Sequence, residues 1–328
     1  MIKKKTIGLL IIIAVATPVK ARDIEATRIT QDVIVIHGGG GNTTVARTDS
    51  GIIVVDSFVS PQAAREAKDI IIKYFPDIPI KYLINTHYHS DHVRGNQHFR
   101  DALIIGHANL EKHMMDDYDQ LIKKYGSYDE KIMELENRIN EVTVETGEAA
   151  HKLKEDSLFL KEAKTFLEEF IPTPPSLHIT SDSILTIGGK IFEILYFGTA
   201  HTDNDLVILS REDQLLIMVD LLFHRNCYII NSTSDVKNWI SILDKMIKRS
   251  AEYKYVIPGH GAVVVDANAL VEQRDYLNII WNTVTDARHR GLTLDQIKKE
   301  IKLDGYKEFI DYDKIGLDIE ACWHQLER

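Results

Sequence analysis

Short apolar runs bounded by turn residues dominate the first hundred positions of the chain. Residues 31–36 pattern as a strand that ends at His37-Gly38-Gly39-Gly40-Gly41-Asn42. Thr43 to Arg47 and Gly51 to Val55 pattern as the next two strands, joined at Thr48-Asp49-Ser50-Gly51. The period then changes. From Pro61 to Tyr74 the residues Ala64, Ala67, Ile70, Ile71 and Tyr74 fall on one helical stripe, with Pro61 suited to the first turn. Ile80 to Asn85 reads as a buried strand, and residues 102–106 as another.

Residues 109–171 have a different character. Sixteen acids against nine bases give this stretch a charge of -7, and apolar residues from Leu121 to Leu167 recur at helical spacing. It predicts two or three helices inserted between core strands, either as a solvated cover or as a lid or dimerisation arm. Pro172-Thr173-Pro174-Pro175 ends it. Strands follow at 177–180, 184–187 and 190–196, with Gly188-Gly189 as a hairpin signal, and then at 206–210, 215–219 and 255–257. Helical spacing marks 235–249, 266–290, 293–301 and the C-terminus.

The glycine run at 38–41 raises the question of phosphate binding. It lacks a P-loop lysine and no helix follows, so a hairpin loop is the reading. The chemistry concentrates elsewhere, in Thr86-His87-Tyr88-His89-Ser90-Asp91-His92. Imidazole and carboxylate are the ligands of zinc, or of iron and manganese. In an extended loop His87 and His89 point the same way, while Asp91 and His92 belong to the next turn and can face a second ion. One loop after the strand 80–85 can therefore start two adjacent metal sites.

Three later residues sit at predicted strand ends: His201 after 190–196, Asp220 after Leu215-Leu216-Ile217-Met218-Val219, and His260 after Tyr255-Val256-Ile257. A sheet can bring such positions to one edge. Asp56 also closes a strand, as a turn residue or as the partner of a ligand histidine. His107, His113, His151, His178, His289 and His324 lack this setting and read as structural or surface residues.

The set His87-x-His89-x-Asp91-His92, His201, Asp220 and His260 resembles that of the metallo-β-lactamase-fold hydrolase superfamily, over roughly residues 30–265 apart from the insertion. The resemblance implies an α/β fold, a four-layer αβ/βα sandwich with a helical insertion at 109–171. It implies that His87, His89 and His201 bind a first metal, that Asp91, His92 and His260 bind a second, and that Asp220 bridges them. Asp56 matches the family's first motif, in support of a partner role behind a ligand. The cofactor so implied is two zinc ions per chain, with iron or manganese as substitutes. Two divalent ions outweigh Asp91 and Asp220 in charge, which favours a bridging hydroxide as the nucleophile, with Asp91 as the residue that both ligates and orients it.

Asp220 departs from true zinc β-lactamases, which commonly carry Cys or Ser there, and is similar to glyoxalase II-like thioesterases and zinc lactonases. The expected substrate is a small ester, lactone or amide, with β-lactams as a side activity. Proximity to the ligands makes Phe58, Arg94, His224 and Tyr228 candidates for the substrate pocket, His224 or Tyr228 as an oxyanion donor. Two other readings are a mononuclear iron oxidoreductase of the same fold, similar to persulfide dioxygenases, and a non-catalytic metal-binding or sensor protein.

Composition adds the setting. Lys3-Lys4-Lys5, the apolar run Ile7 to Ala16 and the small residues up to Ala21 predict a signal peptide over residues 1–21, hence a secreted or periplasmic domain over 22–328 with no stable membrane insertion. Its removal takes four lysines and no acid, moving the net charge from -10 to -14. Such a surface argues against nucleic-acid partners and for a small-molecule substrate. Two cysteines, Cys227 and Cys322, make no disulfide framework. Oligomeric state is not encoded in these patterns.

Overall fold

A computed structural model describes residues 24–125, 128–141, 153, 161, 165–166 and 168–327. The predicted signal peptide and much of the second half of the insertion lie outside these residues.

The first sheet has seven strands in sequence order: β1 (Glu25–Arg28), β2 (Val33–His37), β3 (Thr43–Thr48), β4 (Gly51–Val55), β5 (Ile80–Ile84), β6 (Leu103–His107) and β7 (Leu177–Ile179). Its first four strands run antiparallel, and β4 to β7 are parallel. The second sheet runs β12 (Tyr255–His260), β11 (Leu215–Phe223), β10 (Leu206–Ser210), β9 (Lys190–Tyr196), β8 (Ser183–Ile187). There β11 and β12 are the parallel pair.

Alternation of side chains across each strand builds the layers. Val33, Val35, Ile53 and Val55 of the first sheet meet Phe192, Ile194, Ile208 and Ile217 of the second in one core. The opposite face of the first sheet, with Ile34, Ile52 and Val54, packs on Ala64, Ala67 and Ile71 of helix α1 (Pro61–Tyr74). Ser60 caps α1 by accepting the Ala63 N–H at 3.2 Å. Leu216, Met218 and Leu222 of the second sheet pack on α5 (Val236–Lys248), α6 (Asn268–His289) and α8 (Ile315–Gln325). The four-layer sandwich expected from the resemblance is present.

Between β5 and β6 lies the one-turn helix α2 (Ser90–Val93). The insertion begins with α3 (Leu110–Tyr125) and α4 (Tyr128–Glu141), and α7 (Leu294–Glu300) precedes α8.

Two differences from the sequence reading matter. Strand β1 carries no strong apolar alternation and exists by pairing with β2, Glu25 opposite His37 through Arg28 opposite Ile34. Asp220 does not end a strand. It lies inside β11, where Val219 has φ 43° and the register with β12 shifts on either side of Val219. A bulge of this kind re-aims a side chain within a strand, which apolar periodicity does not register.

Candidate metal centre

The chain leaves β5 at Asn85, and buried polar contacts hold the backbone of the metal loop. Asn85 Nδ2 donates to the His92 carbonyl (3.2 Å) and to Asn96 Oδ1 (3.0 Å), and Ser57 Oγ donates to Asn96 Oδ1 at 2.7 Å. Asn96 Nδ2 donates onward to Asn85 Oδ1 and to the Thr173 carbonyl. These three residues are fully buried, so their mutual satisfaction holds the turn that carries Asp91 and His92.

The glycine run has a purpose here that its sequence did not disclose. A Cβ on Gly40 would lie 2.9 Å from Asp91 Cβ, and one on Gly41 would lie 3.1 Å from His92 Cε1. Absent side chains let the β2–β3 hairpin close over both residues. Asn42 then ties the two sheets together: its N–H donates to the Gly259 carbonyl (2.8 Å) and its Nδ2 to the carbonyls of Pro258 and Ala262.

From the second sheet come His201, Asp220 and His260. The bulge in β11 frees the Leu221 carbonyl, which accepts from Trp239 Nε1 of α5 and Gln273 Nε2 of α6, both at 2.9 Å. Gly259 leaves room for the carboxylate, since a Cβ there would sit 1.9 Å from Asp220 Oδ1.

The seven residues meet. His87, His89, His201 and Asp220 form one group and Asp91, His92 and His260 another, each with ligand atoms within 4.8 Å of one another. Asp220 turns one oxygen to each. Its Oδ2 lies 3.5 Å from His87 Nε2 and 3.6 Å from His201 Nε2, and its Oδ1 lies 3.3 Å from His92 Nε2 and 3.4 Å from His260 Nε2. His260 Nε2 and His92 Nε2 are 3.2 and 3.4 Å from Asp91 Oδ2. His89 Nδ1 and His201 Nε2 face each other at 3.0 Å.

These distances fit metal ligation. Ligands about 2.0–2.1 Å from a tetrahedral ion lie about 3.3–3.4 Å from one another, the separation seen around Asp220 Oδ1. His87 Nε2, His92 Nε2 and Asp220 Oδ1 are buried and have no hydrogen-bond partner among the described residues. Buried orphans of this kind need an explanation, and a cation supplies one.

The charges point the same way. Burial, aided by the charge on neighbouring imidazoles, pushes His87 down to about 4, and His89 and His201 down to about 3, so all three are neutral and ready to donate a lone pair. Burial opposes ionisation of Asp91 and Asp220, yet His92 and His260 outweigh it and hold both carboxyls well below the usual range. The same acids raise His92 well above its ordinary value against the effect of burial, and raise His260 to about 10. The carboxylates require positive charge beside them.

Asp56 stands behind His92. Its Oδ2 accepts from His92 Nδ1 (2.8 Å) and from Thr86 Oγ1 (2.8 Å), and its Oδ1 accepts the Thr86 N–H (2.8 Å). The bond to Nδ1 turns Nε2 towards Asp220 and Asp91, where it would give its lone pair to an ion in place of a proton. Asp56 and Phe58 take left-handed backbone, φ 67° and 74°. Such residues cost about 1–3 kcal/mol each and persist where surrounding contacts fix them.

The expected pocket residues fare differently. Phe58 is fully buried in the core beneath Gly39, so its ring supports the glycine loop and does not line a cleft. Arg94 is also buried: its Nη2 donates to Asp117 of α3 at 3.0 Å and its guanidinium lies 5.3 Å from the Phe166 ring. It fastens the insertion to the metal loop. His224 donates its backbone N–H to the His260 carbonyl, and Tyr228 is 46% exposed with Lys314 near its ring.

Phe223, not singled out by sequence, stacks on His260 at 5.1 Å and touches His201 at 5.4 Å, forming an apolar wall across both groups. Nor was Tyr88, whose ring stacks on His113 (4.6 Å); His113 in turn contacts Asp203 at 3.0 Å. No alternation marks Phe223, since β11 is buried from Leu215 to Leu222. No signal existed for Tyr88 either. Cys227 and Cys322 are both free thiols in the interior.

A two-sheet sandwich with histidines and aspartates from both sheets gathered in two adjoining groups defines a class of metal-dependent hydrolases. A model of the metallo-beta-lactamase superfamily matches residues 37–260, and the chain belongs to that superfamily. Similar proteins include the alpha subunit of a 2,4-dinitroanisole O-demethylase from Nocardioides sp. (strain JS1661), 23% identical over 76% of this chain and 62% of its own length. A metallo-beta-lactamase type 2 from Bacillus cereus is 21% identical over 68% of this chain and 67% of its own. An (R)-specific secondary-alkylsulfatase from Pseudomonas sp. is 22% identical over 80% of this chain but only 41% of its own. Among solved structures, a stereoselective inverting sec-alkylsulfatase from Pseudomonas sp. superposes with a TM-score of 0.68 at 18% identity, over 92% of this chain and 50% of that one. A metallo-beta-lactamase from Pontibacter korlensis gives 0.54 at 17%, over 78% of this chain and 99% of that one. The chain thus spans less than two thirds of the O-demethylase subunit and about half or less of the alkylsulfatases.

Proposed function

We propose that this chain is an exported dinuclear zinc hydrolase of small acyl substrates: esters, lactones or amides, with β-lactams as a side activity. The observation that carries the reading is the placement of the two Asp220 oxygens, one towards each group of imidazoles. His87, His89 and His201 would hold one ion, Asp91, His92 and His260 the other, and Asp220 both. When bound, zinc supplies Lewis acidity and a water deprotonated near neutral pH. Export is inferred from the N-terminal pattern; no helix among the described residues is long and apolar enough to cross a membrane.

The chain's own groups do the rest. Asp91 and His260 keep side chains 22% and 27% exposed and His89 is half-buried, whereas His92 and Asp220 are at most 4% exposed, so substrate meets the cluster where Asp91, His89 and His260 reach the surface. Asp91 Oδ2 lies at that mouth and is placed to accept a proton from the nucleophile and orient it. Phe223, stacked on His260, offers apolar surface to the acyl portion and excludes water beside it.

The test is metal analysis and turnover of the protein lacking residues 1–21. Two zincs per chain, and hydrolysis of aryl esters or lactones above nitrocefin, are expected. A secondary alkyl sulfate and 2,4-dinitroanisole belong in the same panel, because proteins named for those substrates are similar to this chain. Inertness towards every acyl compound with both zincs bound would refute the acyl assignment, and turnover of the sulfate or ether alone would replace it. One iron per chain with oxygen uptake would overturn the hydrolytic reading.

Two further outcomes follow from the same reading. Chelation should lower the thermal midpoint, since an ion at 100 times its Kd contributes about 2.7 kcal/mol to the folded state; an unchanged midpoint in excess chelator contradicts the two ions. Asp56→Asn should weaken one ion about 10–100-fold, the usual effect of losing the partner behind a ligand histidine. Competition with a chromogenic chelator reads this directly, and equal weakening of both ions would count against Asp56 acting through His92.

A further inference from the structure

The family match ends at residue 260, yet the chain continues through α6, α7 and α8. On α8, Asp318 is fully buried. A carboxylate in such a place is tolerated only when its oxygens are satisfied. Asp318 accepts the backbone N–H groups of Tyr228, Ile229 and Ile230 at 2.7, 2.9 and 2.7 Å, and the Tyr276 hydroxyl at 2.5 Å. Three consecutive N–H groups converging on one side chain fix the local path of the chain. Tyr228 is held there in left-handed backbone, φ 62°.

The residues directly after this anchor close on the metal centre. Asn231 Nδ2 and Ser234 Oγ both donate to the His201 carbonyl at 3.0 Å, and the Asp235 N–H donates to the Ala200 carbonyl at 2.7 Å. The backbone of His201 therefore rests on a loop whose other end is gripped from α8.

We propose that Asp318 is a positioning residue for the first group of ligands, setting His201 through the 228–235 loop and making the C-terminal helices part of the metal site. The proposal rests on the two-ion reading above. It differs from simple helix packing in one respect: loss of the carboxylate should disturb one ion and spare the other.

The experiment is zinc competition titration and cobalt(II) absorption on the full chain carrying Asp318→Asn, with Asp318→Glu and wild type beside it. Asn keeps the shape but replaces a charged acceptor by an amide. One of the two ions should weaken about 10–100-fold, as for other supports behind a ligand, the cobalt spectrum should change, and kcat should fall with KM within about twofold. Adding Asp318→Asn to His260→Ala, where the first group is the complete one, should weaken the remaining ion by the same factor. If Asp318→Asn does not fold, the double variant Asn231→Ala, Ser234→Ala removes both side-chain bonds to the His201 carbonyl and should give the same selective loss. Wild-type affinity for both ions and an unchanged cobalt spectrum, in either variant, overturn the proposal whatever happens to the melting temperature. Wild-type protein that binds no ion at all refutes the underlying two-ion reading instead.

Discussion

Replacing Asp220 by alanine is expected to lower kcat/KM by about 10³-fold or more and to reduce bound metal from two ions per chain to at most one. That factor corresponds to ~4 kcal/mol of lost transition-state stabilisation. The reason is the double duty of a single carboxylate. Its Oδ1 lies 3.3–3.4 Å from His92 and His260, and its Oδ2 lies 3.5–3.6 Å from His87 and His201. No second carboxylate reaches both groups among the described residues, because Asp91 faces only His92 and His260. Removal would therefore leave two sets of imidazoles without the charge that, in the two-ion reading, holds two cations close together. Asp220→Asn separates shape from charge. It keeps the volume, so a loss nearly as large as that of the alanine variant would assign the effect to the negative charge. Two bound ions and near-normal turnover in either variant would reject the bridging role.

The second large effect is expected from a residue with no side chain. Gly259→Ala would place a methyl 1.9 Å from Asp220 Oδ1, 2.8 Å from the Val219 carbonyl carbon and 3.0 Å from the Asp220 nitrogen. Two of these neighbours are backbone atoms of the adjacent strand, so the contact cannot be relieved by a rotamer change. The β11–β12 pair must spread at the point where it presents Asp220 and His260. Overpacking of this kind costs about 1–3 kcal/mol. The effect on metal should exceed the effect on stability, since the displaced carboxylate turns one oxygen to each group. Circular dichroism melting and zinc content measured on one preparation read the two quantities. A variant that melts as wild type and carries two zincs would show that the local spacing is looser than the structure indicates.

Legibility from sequence followed the range of the interactions. His87, His89, Asp91 and His92 were visible because they fall within six positions of one another and follow an apolar run. Pro61–Tyr74 and Lys190–Tyr196 matched their predicted bounds because one face of each is buried and the other is not. Arg94 and Phe58 were placed by proximity in the chain to ligands, and chain proximity says nothing about direction. The left-handed turn at Asp56 and Phe58 points the Phe58 ring into the core, while Arg94 reaches Asp117 and Phe166, which sequence alone had set apart in the insertion.

By itself, the sequence determined which side chains were available to ligate metal and the order of strands and helices that presents them. Both follow from local periodicity and from the few residue types with lone pairs suited to cations. Only the tertiary structure decided which Asp220 oxygen meets which imidazoles, why Gly40, Gly41 and Gly259 lack side chains, and how Asn42 and Asp318 brace the site from distant parts of the chain. Those relations arise where two sheets pack face to face and helices close over one of them. There the distance between atoms depends on the layers and not on separation along the chain.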